Sequence, residues 1–332
     1  MRLKRRRLIF RAIRSRRQLT SVVDRTAEIR PGQILAFTTL RNELPRLPHF
    51  LAHYRALGVG HFLMVVNDSR DGSAAFLADQ PDVSLWTTDA SYKAARFGVD
   101  WLTWLQFRYG HGAWCLSVDA DEILIYPHWD RRDLKALTQR LEQTGATALG
   151  ALMLDLYPKG PLGQGVYQPG QDPTELLGWF DAAPYQARRQ LPLQNLWLQG
   201  GARERVFFPD HPRRGPTLNK LPLVNWSRRF VYANSTHSAL PPRLNREWDG
   251  PASVSGDTRL SGALLHTKFL PGVIERSGEE KLRREHFGQP DQFDAYYDGV
   301  AGAPDLWTTH STRYENWQQL VALGLISAGG WD

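Results

Sequence analysis

The segment Trp114-Cys115-Leu116-Ser117-Val118-Asp119-Ala120-Asp121-Glu122 limits what this chain can fold into more than any other. A short apolar run ends in three carboxylates within four residues, and a second apolar run, Ile123-Leu124-Ile125-Tyr126, follows at once. Carboxylates beside a buried strand are costly unless cations or hydrogen-bond donors meet them. Two aspartates one residue apart at the carboxyl end of a strand suit a hard divalent cation, Mn²⁺ or Mg²⁺, because such ions prefer oxygen ligands. A cation held there would in turn hold a phosphate group. The segment therefore implies an α/β sheet, a metal and a phosphorylated substrate.

A chain of 332 residues is long enough for one large domain or two smaller ones, and its apolar and charged fractions are those of a globular protein. The single Cys115 excludes an internal disulfide and a cysteine-based zinc site. It fits a reducing, cytoplasmic setting. Twelve tryptophans read mainly as core, although an indole exposed beside a sugar site also suits stacking on a pyranose face. The formal charge of +7 is unevenly spread. Residues 1–30 hold eleven Lys and Arg against Asp24 and Glu28, a balance of +9, which leaves −2 for the other 302 residues. This basic arm, poorly ordered or helical, reads either as a solvated tail or, with Leu8, Ile9, Phe10 and Ile13, as a peripheral contact for an anionic membrane. Nucleic acid is the weaker reading. No run approaches the length of a membrane span.

From residue 33 to about 155 apolar runs alternate with helical spacing. Strands are expected at 34–38, 62–66, 83–86 and 113–118. Helices are expected at 45–57, with Gly58 as stop, from residue 74 to 78, and at 99–109. Such alternation predicts a mainly parallel sheet flanked by helices, with ligands bound beyond the carboxyl ends of the strands. The polar clusters Asn42-Glu43, Asn67-Asp68-Ser69 and Asp119-Ala120-Asp121-Glu122 all fall at such ends. From 157 to 262 periodicity fades and Gly and Pro are frequent, which reads as long loops shaping a site. A strand-like run at 263–269 and helical segments near 278–287 and 312–323 close the chain.

The order of these pieces resembles a glycosyltransferase of the GT-A type, in particular the family-2-like group related to family 92, once labelled domain of unknown function 23. In that group Asn-Glu follows the first strand, an Asp-Ser-x-Asp-Gly-Ser turn follows the second, as in Asp68-Ser69-Arg70-Asp71-Gly72-Ser73, and Asp-x-Asp-Glu follows a Trp-led strand. The likeness covers residues 34–126 and is looser from 200 to 290. It implies a GT-A, Rossmann-like domain over 31–290, with 31–155 as the nucleotide-sugar half and 156–290 as the acceptor side, and a helical extension over 291–332. It implies transfer, with inversion, of a sugar from a nucleotide-diphosphate donor to a carbohydrate or lipid-linked glycan acceptor. Asp121 would be the first metal ligand, with Asp119 and, from downstream, His266. Thr38, Asn42, Glu43, Asp68 and Asp119 would line the nucleotide-sugar pocket, and Lys220, Arg203 and Arg205 would clamp the diphosphate. Glu204 is the favoured catalytic base, with Asp155 and Glu122 as alternatives.

The family-2 stretch Gln/Arg-x-x-Arg-Trp is missing, which argues against a processive synthase. The same carboxylates would also serve a Mg²⁺-dependent phosphohydrolase or nucleotidyltransferase, although the segment after the first strand, Thr39-Leu40-Arg41-Asn42-Glu43, is not glycine-rich. A third reading is a non-catalytic membrane- or nucleic-acid-binding protein acting through the basic arm.

Overall fold

The computed structural model of the chain describes residues 1–283, 285 and 294–332. It begins with a helix, α1 (Arg2–Ser15), and a short strand, β1 (Thr20–Val23). Strand and helix then alternate: β2 (Ile34–Leu40), α2 (Leu47–Ala56), β3 (Val59–Asn67), α3 (Ser73–Ala78), β4 (Val83–Thr88), α4 (Val99–Tyr109) and β5 (Trp114–Ser117). The carboxylate segment turns directly into β6 (Glu122–Ile125), followed by α5 (Leu134–Gln143) and β7 (Ala148–Asp155).

The loop-like middle is more regular than its sequence suggests. It contains β8 (Trp179–Phe180), a hairpin of β9 (Tyr185–Gln190) and β10 (Asn195–Gly200), α6 (Gly201–Phe207) and β11 (Asn219–Asn225). A small hairpin of β12 (Val231–Asn234) and β13 (Ser238–Leu240) and a short helix α7 (Ala252–Ser255) precede β14 (Gly262–His266). The chain closes with α8 (Val273–Arg283), α9 (Asp294–Ala301), β15 (Thr312–Arg313) and α10 (Trp317–Ala322). The helix expected near 278–287 begins earlier, and its last residues, with the boundary expected at 290–291, fall outside the described residues. Of the stretch expected to be helical over 312–323, only α10 is.

Nine strands form one sheet in the order β1-β4-β3-β2-β5-β11-β7-β14-β6. β4, β3, β2 and β5 pair in parallel, as do β7 and β14, and β11 lies antiparallel between β5 and β7. Six strands thus share one direction and β1, β11 and β6 oppose it, so the sheet is mainly parallel, as the alternation predicts. Burial on both faces explains the near-continuous apolar runs. Along β2, Ile34, Ala36 and Leu40 pack with Phe50 and Leu51 of α2 and with Leu137 of α5, while Leu35 and Phe37 pack with Trp101 and Leu105 of α4 on the other face. The period of two puts Thr38 with the first set and Thr39 with the second.

β11 lies where the sequence predicts a loop, and Pro222 sits within it. Proline cannot donate to a ladder and is tolerated in a sheet at irregularities. The register between β11 and β7 shifts between Lys220 and Leu223, around that residue. β6 also went unassigned. It pairs with β14 at the sheet's far edge, separated from β5 by four strands' width although only the carboxylate turn lies between them in sequence.

Candidate functional site

The carboxyl ends of β2, β3, β5, β7 and β14 lie on one side of the sheet. Because β11 runs the opposite way, its first residues, Asn219 and Lys220, lie there too. A cleft of about 630 Å³ opens at this edge. Asn42 and Glu43 reach it from β2, Asn67 from β3, Asp119, Asp121 and Glu122 from the turn after β5, Lys220 from β11 and His266 from β14. The loops around it are stitched together. The Asn42 and Glu43 amides donate to the hydroxyls of Ser69 (3.0 Å) and Ser73 (3.2 Å), and Asp71 accepts from the Leu44 amide at 2.8 Å, which binds the β2–α2 loop to the turn after β3.

Two charged assemblies form the floor. In the first, the buried Lys220 ammonium lies 3.0 Å from Asp119 Oδ2 and 2.9 Å from Glu122 Oε1, while Glu122 Oε2 accepts from the Asp119 amide at 3.0 Å. Burial pushes the Glu122 carboxyl up to about 7 against the pull of Lys220, with Asp119 and Asp121 adding to the rise. Burial would lower Lys220, but Asp119 and Glu122 hold it above its ordinary value. The two shifts pull one ion pair in opposite senses. An ammonium within 3 Å of two carboxylates stays charged, and the burden falls on Glu122.

The second assembly is a chain of four side chains, Arg203–Asp155–His266–Asp121. The parallel register of β7 and β14 sets Asp155 beside His266. Asp155 Oδ1 meets His266 Nδ1 at 2.6 Å, Asp155 Oδ2 accepts from Arg203 Nε at 2.7 Å, and His266 Nε2 faces Asp121 Oδ2 at 3.2 Å. Asp121 is anchored in turn, its carbonyl accepting from the amide (2.7 Å) and hydroxyl (3.0 Å) of Thr267. Arg203 reaches this place because the chain turns sharply at Gly200 (φ +133°), where a Cβ would stand 2.2 Å from the Pro184 carbonyl oxygen. Burial alone would raise Asp121 and Asp155, but His266 with Arg46 and Lys268 holds Asp121 well below the carboxylate range, and Arg203 and His266 hold Asp155 down. Burial would lower His266, but Asp121 and Asp155 hold it up.

Other cations surround the opening. Arg46 is buried, donating to Glu43 and, at 3.0 Å, to the Thr267 carbonyl. Arg276 lies 3.4 Å from Glu43. Lys268, two residues beyond His266, lines the cleft without an ion pair among the described residues. Burial lowers its ammonium pKa, and Arg203 and Arg276 lower it further, against Asp121. A partly buried ammonium with no ion pair among the described residues, in a cleft that also holds Arg203 and Arg276, suits an anion.

The residues singled out from sequence divide into those that line the cleft and those that do not. Asn42, Glu43, Asp119, Asp121, Glu122, Arg203, Lys220 and His266 meet in the cleft. Thr38 is on the opposite face of β2, and its neighbour Thr39 lines the cleft instead. Asp68 stands half-exposed outside the lining with Arg41 and Arg70 each 3.9 Å away. Asp155 lies behind His266. Glu204 is on α6 beside Gly215, outside the lining, with its carboxyl raised by burial, and Arg205 is turned to Asp181 at 2.9 Å. Neighbouring side chains on one helix point apart, so Arg203 enters the cleft while Glu204 and Arg205 do not. Sequence gave no role to Arg46, Arg276 and Lys268, nor to Tyr92, Phe97 and Trp197, the aromatic walls. Only the His266-Thr267-Lys268 triplet carried a usable signal.

Among the described residues no three His, Cys, Asp or Glu side chains gather as a metal-binding group. Asp119 is occupied by Lys220. Asp121 and His266 nevertheless fit a divalent ion as a pair. A carboxylate oxygen and an imidazole nitrogen face each other, and Asp155 holds the far ring nitrogen as the outer partner of a metal-bound histidine does.

No family model matches the chain, and no curated protein matches it. Among solved structures, 4-diphosphocytidyl-2C-methyl-D-erythritol synthase is similar at 18% identity and a TM-score of 0.26, over 41% of this chain and 68% of that one. An overlap that slight has no weight for the chemistry of the cleft.

Proposed function

We propose that the cleft transfers a sugar from a nucleotide-diphosphate donor to a carbohydrate or lipid-linked glycan acceptor. The observation that carries this reading is the convergence of Asp121, His266 and the unpaired Lys268 beyond the carboxyl ends of a mainly parallel sheet. A carboxylate for a cation and the Lys268 ammonium for a phosphate line the same cleft, with aromatic side chains beside them. In this reading Lys268 and Arg276 receive the diphosphate, and their charge offsets what builds up as the nucleoside diphosphate leaves. Asp121 and His266 would hold Mn²⁺ or Mg²⁺, which supplies further stabilisation of the same leaving charge. Asp155 keeps His266 turned toward Asp121.

Tyr92 and Phe97, on the β3–β4 side, offer the base or ribose a flat contact, with Asn67 beside them. Trp197, also in the lining, suits stacking against an acceptor sugar. Of the three carboxylates advanced as base, Glu122 alone lines the cleft, and a value of about 7 suits proton uptake at neutral pH. Glu204 is set aside on position.

The test is product analysis with nucleotide sugars. Wild type should release nucleoside diphosphate and a glycoside or free sugar, and Asp121→Ala should abolish that release while remaining folded. Unchanged turnover in Asp121→Ala overturns the assignment. Release of pyrophosphate would move the protein to the nucleotidyltransferase class.

A further inference from the structure

No helix among the described residues is long and apolar enough to cross a membrane. The helix α1 offers a different relation to lipid. It contains no acidic residue, and of its cations only Arg11 takes part in an ion pair among the described residues. One face docks. Ala12 and Ser15 are buried, and Arg11 Nε reaches Asp100 of α4 at 2.6 Å. Just beyond α1, Arg16 lies 5.6 Å over the Trp104 ring and Gln18 accepts from Trp101 Nε1 at 2.7 Å. The opposite face carries Leu3 and Phe10, 82% and 68% exposed, one heptad apart, flanked by Arg6, Arg7 and Arg14. These apolar side chains point away from the docked face and are left uncovered by the described residues.

We infer that this outward face of α1 lies on an anionic lipid surface, with Leu3 and Phe10 inserted among the acyl chains and the arginines on the headgroups. A helix with cations around an exposed apolar stripe has the composition of an interfacial helix, and each element answers one part of a lipid surface. A nucleic acid would use the charge and leave Leu3 and Phe10 without a role. The helix is also tied to the cleft. Arg11 donates to the Ala94 carbonyl, within the segment whose Tyr92 and Phe97 form one cleft wall.

The test uses the full chain and flotation with two kinds of vesicle, phosphatidylcholine alone and phosphatidylcholine with about one-third phosphatidylserine. Binding should be at least about tenfold tighter to the anionic vesicles and should fall with added salt. Leu3→Gln with Phe10→Gln should weaken it by about tenfold or more, since burial of the two side chains is lost. Both side chains are exposed, so this variant keeps the fold, and its turnover of a soluble nucleotide sugar should equal wild type. Equal binding to both vesicles, wild-type binding by the double variant, or tighter binding to duplex DNA that ignores the double substitution would each overturn the inference. The Asp121→Ala variant should bind vesicles as wild type does, so failure here and failure of the transferase reading are separate results.

Discussion

Asp155→Asn puts the core of the site to a quantitative test. Asp155 accepts at 2.7 Å from Arg203, which is 7% exposed, and meets His266 at 2.6 Å. Asparagine has one acceptor oxygen where the aspartate has two and no charge to offset Arg203. If that oxygen serves Arg203, its amide must face His266 Nδ1, and the ring must move its proton to Nε2, toward Asp121. The lone pair a metal needs is then lost. A buried group left imperfectly paired costs about 1–3 kcal/mol, and Asp155→Ala, which strands the Arg203 charge, should cost about 3–5 kcal/mol. The assay is urea unfolding with chelator present, followed by tryptophan fluorescence. Its pH dependence has a definite sign. Asp155 is held below its ordinary value, so its stabilisation is present above about pH 4 and is lost as pH falls through the folded value. His266 is held above its ordinary value, so its share is full below about pH 6.5 and fades as pH rises through the folded value. The gap between wild type and Asp155→Asn should therefore be widest between these limits and narrow on both sides. With metal restored, the Asn variant should lose about 10–100-fold in activity or metal affinity. Stability within about 0.5 kcal/mol of wild type across the window, together with full activity, would refute the role given to Asp155.

Further expectations concern single positions. Glu204→Gln should leave sugar transfer within about twofold of wild type, measured as turnover, because this residue does not line the cleft. Glu122→Gln should lower turnover by about 10²–10⁴ with donor affinity retained, which steady-state kinetics separates. Lys268→Met should weaken nucleotide-diphosphate binding by about tenfold or more in calorimetry. The same change should leave stability unchanged or improved, since it removes an unpaired, largely buried charge. Trp197→Ala should raise the acceptor KM without affecting donor hydrolysis.

The sheet was legible because its strands are buried on both faces and so read as unbroken apolar runs between amphipathic helices. The edge at which the cleft opens was legible for the same reason: parallel strands carry their polar clusters at one end, which is where Asn42, Glu43, Asp119 and Asp121 line the cleft. What was hidden depends on partners far away in sequence. Lys220 is in the cleft because β11 runs antiparallel through the middle of the sheet, and Pro222 conceals that strand. His266 and Asp155 form a pair only through the register of β7 and β14. That Thr39 and not Thr38 lines the cleft follows from a period-two phase that an all-apolar strand does not display. Glu204 failed as a cleft residue because a motif-like stretch, Gly201-Ala202-Arg203-Glu204-Arg205, says nothing about which face of its helix looks inward.

If Asp121 belongs to a nucleotide-sugar site, donor binding depends on its carboxylate. Thermal unfolding with UDP-, GDP-, CMP- and dTDP-sugars, with and without Mn²⁺, tests it most directly. For a chain of 332 residues, a donor at one hundred times its Kd contributes about 2.7 kcal/mol and should raise Tm by about 4 °C. One donor class should produce that shift in wild type with Mn²⁺ and none in Asp121→Ala. An equal shift in both proteins, or no shift with any nucleotide sugar, would contradict the account.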